Sequence, residues 1–127
     1  MRDRFASRAV VALLFAGAMV LAPPAAAQEV QRGFGAVLRG LDKFAGEATD
    51  IELRPGESAG LGTLTITLDE CRYPVANPAS DAFAHLTIRD GEQGPPLFDG
   101  WMIASSPALN ALDHARYDVW VLRCITS

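Results

Sequence analysis

From Ala36 onward, several short runs set apolar residues at every second position. That is the period of a strand with one wet face. The clearest run is Thr63 to Glu70, TLTITLDE, where Leu64, Ile66 and Leu68 alternate with Thr63, Thr65 and Thr67. β-branched threonines suit the open face of a sheet. Phe83 to Arg89, FAHLTIR, puts Ala84, Leu86 and Ile88 on one face, and Ala48 to Leu53 alternates Thr49, Ile51 and Leu53 with Ala48, Asp50 and Glu52. Ala36 to Leu41 reads as a strand or a short helical turn, and Gly40 favours the strand. Leu97 to Ile103 and Tyr117 to Cys124 complete the set. In the first of these Trp101 shares a face with Leu97, Asp99 and Ile103, and the apolar members of that face weigh toward a core position. In the second, Trp120, Leu122 and Cys124 share a face, which the pattern assigns to the core.

The breaks between these runs carry turn chemistry. Arg54-Pro55-Gly56-Glu57 suits a type II turn, because proline sets φ at one central position and glycine takes a positive φ at the next. Val75 to Ser80, with Asn77 and Pro78, reads as a loop, and Asp90-Gly91 opens a hairpin-like loop running to Pro96. Ser105-Ser106-Pro107 is a helix-start pattern: serine accepts from free N–H groups, and proline fits the first helical position. A short helix near residues 106–113 follows from it, with Leu109 and Leu112 on one side. Short strands joined by tight turns predict a mainly β domain, a small antiparallel β-sandwich or barrel with that one helix.

The first residues follow a different pattern. Arg2, Arg4 and Arg8 precede a small and apolar run from Ala9 to Ala22, then Pro23-Pro24 and Ala25-Ala26-Ala27-Gln28. This is the layout of a secretory signal peptide, with cleavage expected after Ala27. The run is shorter than the ~20 residues needed to span a bilayer, so no stable membrane anchor is expected after cleavage. Residues 1–27 are thus read as a leader, 28–35 as a flexible N-terminus and 36–127 as one β-rich domain; the expected location is periplasmic or secreted. Of the eleven basic and fifteen acidic residues in the chain, three arginines and one aspartate leave with the leader. The remaining eight and fourteen give a net charge of −6, which argues against nucleic acid as a partner.

Cys71 and Cys124 both lie beyond the leader. In an exported chain they are expected to form a disulfide, whose loop of roughly 54 residues stabilises by about 4 kcal/mol in the chain-entropy model. A dimer bridge or a pair of free thiols are the alternatives.

The segment Gly100 to Trp120 concentrates serine, aspartate and histidine, which raises the question of hydrolysis. It has no G-x-S-x-G elbow, and His114 lies eight residues beyond Ser106. Both serines are explained as helix caps, and His114 is explained by the favourable position of a histidine near a helix C-terminus. His85 and His114 are the only histidines and show no metal-ligand spacing, so neither metal nor cofactor is expected. Asp69-Glu70 falls at a strand end, where solvated charge is the ordinary reading. A glycosidase-type carboxylate pair stays open, because separation in space is not readable from spacing.

The chain resembles the bacterial family known as domain of unknown function 2155. The residues that carry the likeness are LRGLDK at Leu38 to Lys43, CRYP at Cys71 to Pro74, AFAHLTIRD at Ala82 to Asp90, and FDGWMIASSPALNALDHARYDVWVLRC at Phe98 to Cys124. The resemblance implies an exported bacterial protein without an assigned activity. Two functions remain in play. The first is a non-catalytic envelope module that binds a protein or polymer through Trp101, Ser105, Ser106, His114, Tyr117 and Asp118. The second is a small envelope hydrolase, or an inhibitor of one, using Ser106 and His114 or a carboxylate pair.

Overall fold

The computed structural model describes Gly17 and residues 28–127. Gly17 aside, the expected leader, with its cleavage point after Ala27, lies outside the described residues.

Eight strands form among the described residues: β1 (Val30–Arg32), β2 (Gly35–Asp42), β3 (Glu47–Leu53), β4 (Ser58–Leu61), β5 (Leu64–Pro74), β6 (Phe83–Asp90), β7 (Pro96–Ile103) and β8 (Tyr117–Ile125). All pairings are antiparallel. The larger sheet runs β5-β6-β7, with β1 and β4 sharing the outer edge of β5; the smaller runs β3-β2-β8. Neither sheet closes into a barrel. They face each other across one core, in which Leu64, Ile66, Leu68, Leu86 and Ile88 from the larger sheet meet Ala36, Leu38, Val119 and Val121 from the smaller.

The expected turns hold. Gly56 takes φ +86° and Glu57 N–H donates to the Arg54 carbonyl at 2.9 Å, closing the turn around Pro55-Gly56. Gly91 takes φ +77° at the head of the β6–β7 hairpin. Thr63, read as the first residue of a strand, instead forms with Gly62 the two-residue loop between β4 and β5.

Two β-bulges decide which side chains point inward. In β5 the pairing skips from Leu68 opposite Leu86 to Glu70 opposite His85, so Asp69 is the extra residue. In β8 it skips from Val121 opposite Leu38 to Arg123 opposite Val37, so Leu122 is extra. An extra residue inverts the alternation beyond it. Upstream of the β8 bulge the buried residues are Tyr117, Val119 and Val121; downstream it is Cys124. Trp120 and Leu122, assigned to the core from a regular alternation, are therefore half-buried on the outer side. The same inversion in β5 moves burial from Leu64, Ile66 and Leu68 to Cys71 and Tyr73. Both cysteines thus turn inward, and Cys71–Cys124 joins the two sheets through the core with a Cα–Cα distance of 5.7 Å.

Three further expectations are corrected. No helix forms near residues 106–113. Ser106 N–H donates to the Ile103 carbonyl and Leu109 N–H to the Ser106 carbonyl, each at 3.1 Å, giving turns in place of a helix. Leu109 is 74 % exposed, so Leu109 and Leu112 never form the apolar stripe a helix would need to bury. The N-terminal segment, which shows no period, contains β1: Val30 to Arg32 pair with Pro74 to Arg72, and all three side chains are exposed. Trp101 lies on the outer face of β7, since Phe98 and Met102 take the inner positions.

Candidate functional site

The outer face of β5, β6 and β7 brings together most of the chemistry in the domain. On β6, Ala84, Leu86 and Ile88 point to the core, which leaves His85 and Thr87 facing out. On β7, Asp99 and Trp101 take the outward positions. The antiparallel register sets Trp101 opposite His85 and Asp99 opposite Thr87. The β5 bulge adds Asp69, and Glu70 and Arg72 follow it on the same strand. Asp69 and Glu70 therefore lie in the middle of a strand and in contact with other elements, and do not form a solvated strand end.

His85 is the centre of this group. Its Nδ1 lies 2.6 Å from Asp69 Oδ2, which also accepts from the Thr87 hydroxyl at 2.8 Å. Its Nε2 faces Asp99 Oδ1 at 3.6 Å, beyond hydrogen-bond range. The Trp101 ring meets the imidazole edge to face, with centroids 5.1 Å apart and planes at 79°. The Arg72 guanidinium sits 4.9 Å from the Trp101 centroid, a cation–π distance, and is held there by two bonds to Glu70 at 2.8 and 3.1 Å. Glu70 also pairs with Arg32 of β1 at 3.0 Å. Beside this polar cluster lies a shallow apolar depression lined by Val30, Phe83, Trp101 and Ile103, with Arg72 at its margin.

A larger groove of about 660 Å³ lies between Phe34, Leu53, Arg54, Glu57 and Ile125. Glu52 and Ser127 complete its lining, which contains neither a histidine nor a cysteine.

The family model described as "Uncharacterized protein conserved in bacteria (DUF2155)" matches residues 36–124, from the second residue of β2 to the second cysteine. The chain belongs to this family. A segment of the DUF2155 chain is also similar to Uncharacterized protein RP359 of Rickettsia prowazekii (strain Madrid E), at 29% identity over 87 residues. That match covers 66% of this chain and 56% of the relative, so the chain spans little more than half of the relative's length. No solved structure matches.

In the DUF2155 domain, the residues singled out from the Gly100 to Trp120 segment do not converge on one place. Ser105 is held by Asp81: its hydroxyl donates to Oδ2 at 2.7 Å and its N–H to Oδ1 at 3.0 Å. Tyr117 is buried, and Asp118 accepts from Val119 N–H at 2.9 Å. His114 Nδ1 accepts from the N–H groups of Arg116 and Tyr117 at 3.0 and 3.1 Å, so this nitrogen is occupied by backbone and is not aimed at Ser106. Only Trp101 belongs to the outer sheet face. Sequence spacing does not bring His85, Asp69 and Asp99 together, since Asp69 precedes His85 by 16 residues and Asp99 follows it by 14. The alternation that put Ala84, Leu86 and Ile88 inside had already turned His85 outward. The missing element was the β6–β7 register, which sets it beside the Asp99 strand.

A second charged group braces the opposite end of the DUF2155 domain. Arg116 pairs with Asp42 at 3.0 Å, and Asp42 also accepts from the N–H groups of Phe44 and Ala45. The bond from Arg116 holds the Asp42 carboxyl below the usual range, and Arg39 does the same for Asp50 on the smaller sheet. A carboxylate whose folded value is lowered contributes stability above its unfolded value near pH 4, and that contribution is lost as pH falls through the folded value. Both pairs face solvent, so the effect is small. Urea midpoints measured between pH 5 and 2 should fall more gently for Asp42→Asn than for the parent. Parallel curves would show that this pair carries no pH-dependent stability.

Proposed function

We propose that this DUF2155 protein is an exported cell-envelope module that binds an envelope protein or polymer through the outer face of β5, β6 and β7. The observation that carries the reading is Trp101. It is a half-exposed aromatic fixed by Arg72 over its ring and by His85 at its edge, and it borders an apolar depression formed with Val30, Phe83 and Ile103. A rigid tryptophan beside an arginine offers a large contact area at little entropic cost, which is the usual composition of a binding hot spot.

Two features support the cellular setting. The disulfide is of the kind that forms and persists in oxidising compartments. The basic, apolar and A-x-A pattern of residues 1–27 has the layout of a cleaved leader. Mass measurement of the exported chain should give an N-terminus at Gln28, and a retained leader would refute cleavage there.

The geometry gives hydrolysis less support. Around His85 the ring nitrogens face two carboxylates and no hydroxyl or thiol, and Thr87 donates to Asp69 instead of the imidazole. No hydroxyl or thiol is set against the imidazole as a nucleophile in this cluster, which leaves only its carboxylates for covalent chemistry. The binding reading is tested by co-sedimentation with isolated envelope fractions. Trp101→Ala should weaken association by tenfold or more, a loss of at least about 1.4 kcal/mol. Trp120→Ala, on the outer side of the other sheet, should leave it unchanged. Equal loss from both variants, or none from Trp101→Ala, would remove this face from consideration.

A further inference from the structure

We infer that His85 and Asp99 bind a zinc ion, with Asp69 as the outer carboxylate that orients His85. This does not depend on the binding role of Trp101, since it rests on the two ring nitrogens of His85 and the carboxylates they face. The argument begins with Asp69. An ionised carboxylate can only accept, so its 2.6 Å contact with Nδ1 places the ring proton on that nitrogen. Thr87 donates to the same oxygen and fixes the carboxylate's orientation. With Nε2 free of a proton, as metal binding requires, its lone pair points toward Asp99 Oδ1.

In that form two acceptors face each other at 3.6 Å, a spacing that a proton on Nε2 or a bound cation relieves. A tetrahedral zinc with bonds of about 2.1 Å to nitrogen and oxygen sets those two atoms about 3.4 Å apart. The observed 3.6 Å separation is close to that, and too long for a direct hydrogen bond. His85 and Asp99 come from neighbouring strands whose register is set by core packing, so the spacing does not depend on a loop. Asp69 behind the ring completes the carboxylate–histidine–metal arrangement, in which the outer carboxylate sets the tautomer and raises the basicity of the ligand. One ligand atom from each of the three residues lies within 4.8 Å of the others. A nitrogen donor together with few carboxylates favours zinc over calcium or magnesium, which require more oxygen ligands. With two protein ligands the ion keeps its other positions for water, so the site is open and exchangeable.

Three consequences are measurable. Zinc chloride titrated into the purified oxidised chain should give saturable one-to-one binding by calorimetry. It should also change Trp101 fluorescence in a Trp120→Phe background, because that indole touches the imidazole. His85→Gln and Asp99→Asn should each weaken zinc by at least tenfold. Asp69→Asn, which leaves both ligands in place, should weaken it by roughly 10- to 100-fold, as loss of an outer-shell partner does. His114→Gln should bind as the parent does. Asp99 is 58% exposed on its side chain, so Asp99→Asn keeps the test available if His85→Gln does not fold. Absence of saturable binding, or His114→Gln weakening zinc as much as Asp99→Asn does, would overturn the site.

Discussion

Replacing Cys71 and Cys124 together with alanine is expected to lower the stability of the domain by about 4 kcal/mol and its melting temperature by roughly 15–30 °C. The disulfide closes a loop of 53 residues in sequence separation, which is where most of the stabilisation arises in the chain-entropy model. Its position adds to the effect. β5 and β8 belong to different sheets, and both cysteines are buried between them. A single short domain buries only about two-thirds of the surface its unfolded chain exposes, so the margin left after chain entropy is small. Thermal unfolding of the double variant, and of the parent with its thiols shown to be free after reduction, should give the same lowered transition. A reduced parent that melts at the oxidised temperature would show that core packing alone holds the sheets together.

The same two strands show where the sequence could be read and where it could not. Leu64, Ile66 and Leu68, and equally Ala84, Leu86 and Ile88, were legible because each run lies in regular strand, where period two translates directly into inside and outside. Tyr117 to Cys124 was misread because one residue, Leu122, is inserted with no local signature. A bulge leaves no mark in hydropathy, since it is fixed by what the partner strand must align. The consequence is systematic. Cys124 had to face inward to reach Cys71, and if the last strand were regular Trp120 would have had to follow it. With the bulge, Cys124 points in while Trp120 points out. The bulge at Asp69 has the matching effect on β5, and it supplies the acceptor that orients His85. The His85 cluster and the inward turn of Cys71 are therefore products of the same irregularity in β5. A reading confined to alternation could locate His85 on an outer face but could not bring Asp69 to it.

Ser105-Ser106-Pro107 illustrates a different limit. Its residues carry a genuine local preference for starting a helix, yet the Asp81 carboxylate binds Ser105 through both its hydroxyl and its N–H, and the Asn110 amide donates to the Trp101 carbonyl at 2.9 Å. These long-range bonds tie the segment to β7 and to the residues before β6. Helix nucleation is costly for so short a stretch and offers no apolar face in return. Tertiary bonds decided the conformation.

Gly62→Ala is expected to destabilise the domain by about 2–4 kcal/mol, from overpacking and backbone strain together. Gly62 sits at φ +56° in the two-residue turn between β4 and β5, a conformation that an L residue adopts only with strain. A Cβ there would also run into the buried Tyr117 ring, overlapping its hydroxyl and Cζ and lying 2.7 Å from Cε1. Tyr117 begins β8, so this contact seats the β4–β5 turn of the larger sheet against the smaller one. The ring has little room to retreat. Its hidden position is shared with Leu64, Val119 and Leu61 around the same core, and Arg116 lies 5.3 Å from its centroid on the outer side. Strain and collision can be separated. Gly56 and Gly91 also hold positive φ, but nothing lies within 4 Å of a Cβ added to either. Gly56→Ala and Gly91→Ala should each cost about 1 kcal/mol, the strain alone. A Gly62→Ala, Tyr117→Leu double variant should lose less than the sum of its single changes, because the shorter side chain vacates the space the new methyl needs. Denaturant unfolding of these four variants, of Tyr117→Leu alone and of the parent measures each term. Equal losses at positions 56, 62 and 91 would mean that the turn conformation alone matters. A larger loss at 62, relieved by Tyr117→Leu, would place the constraint at the seam between the two sheets, where the disulfide at the other end of β8 also acts.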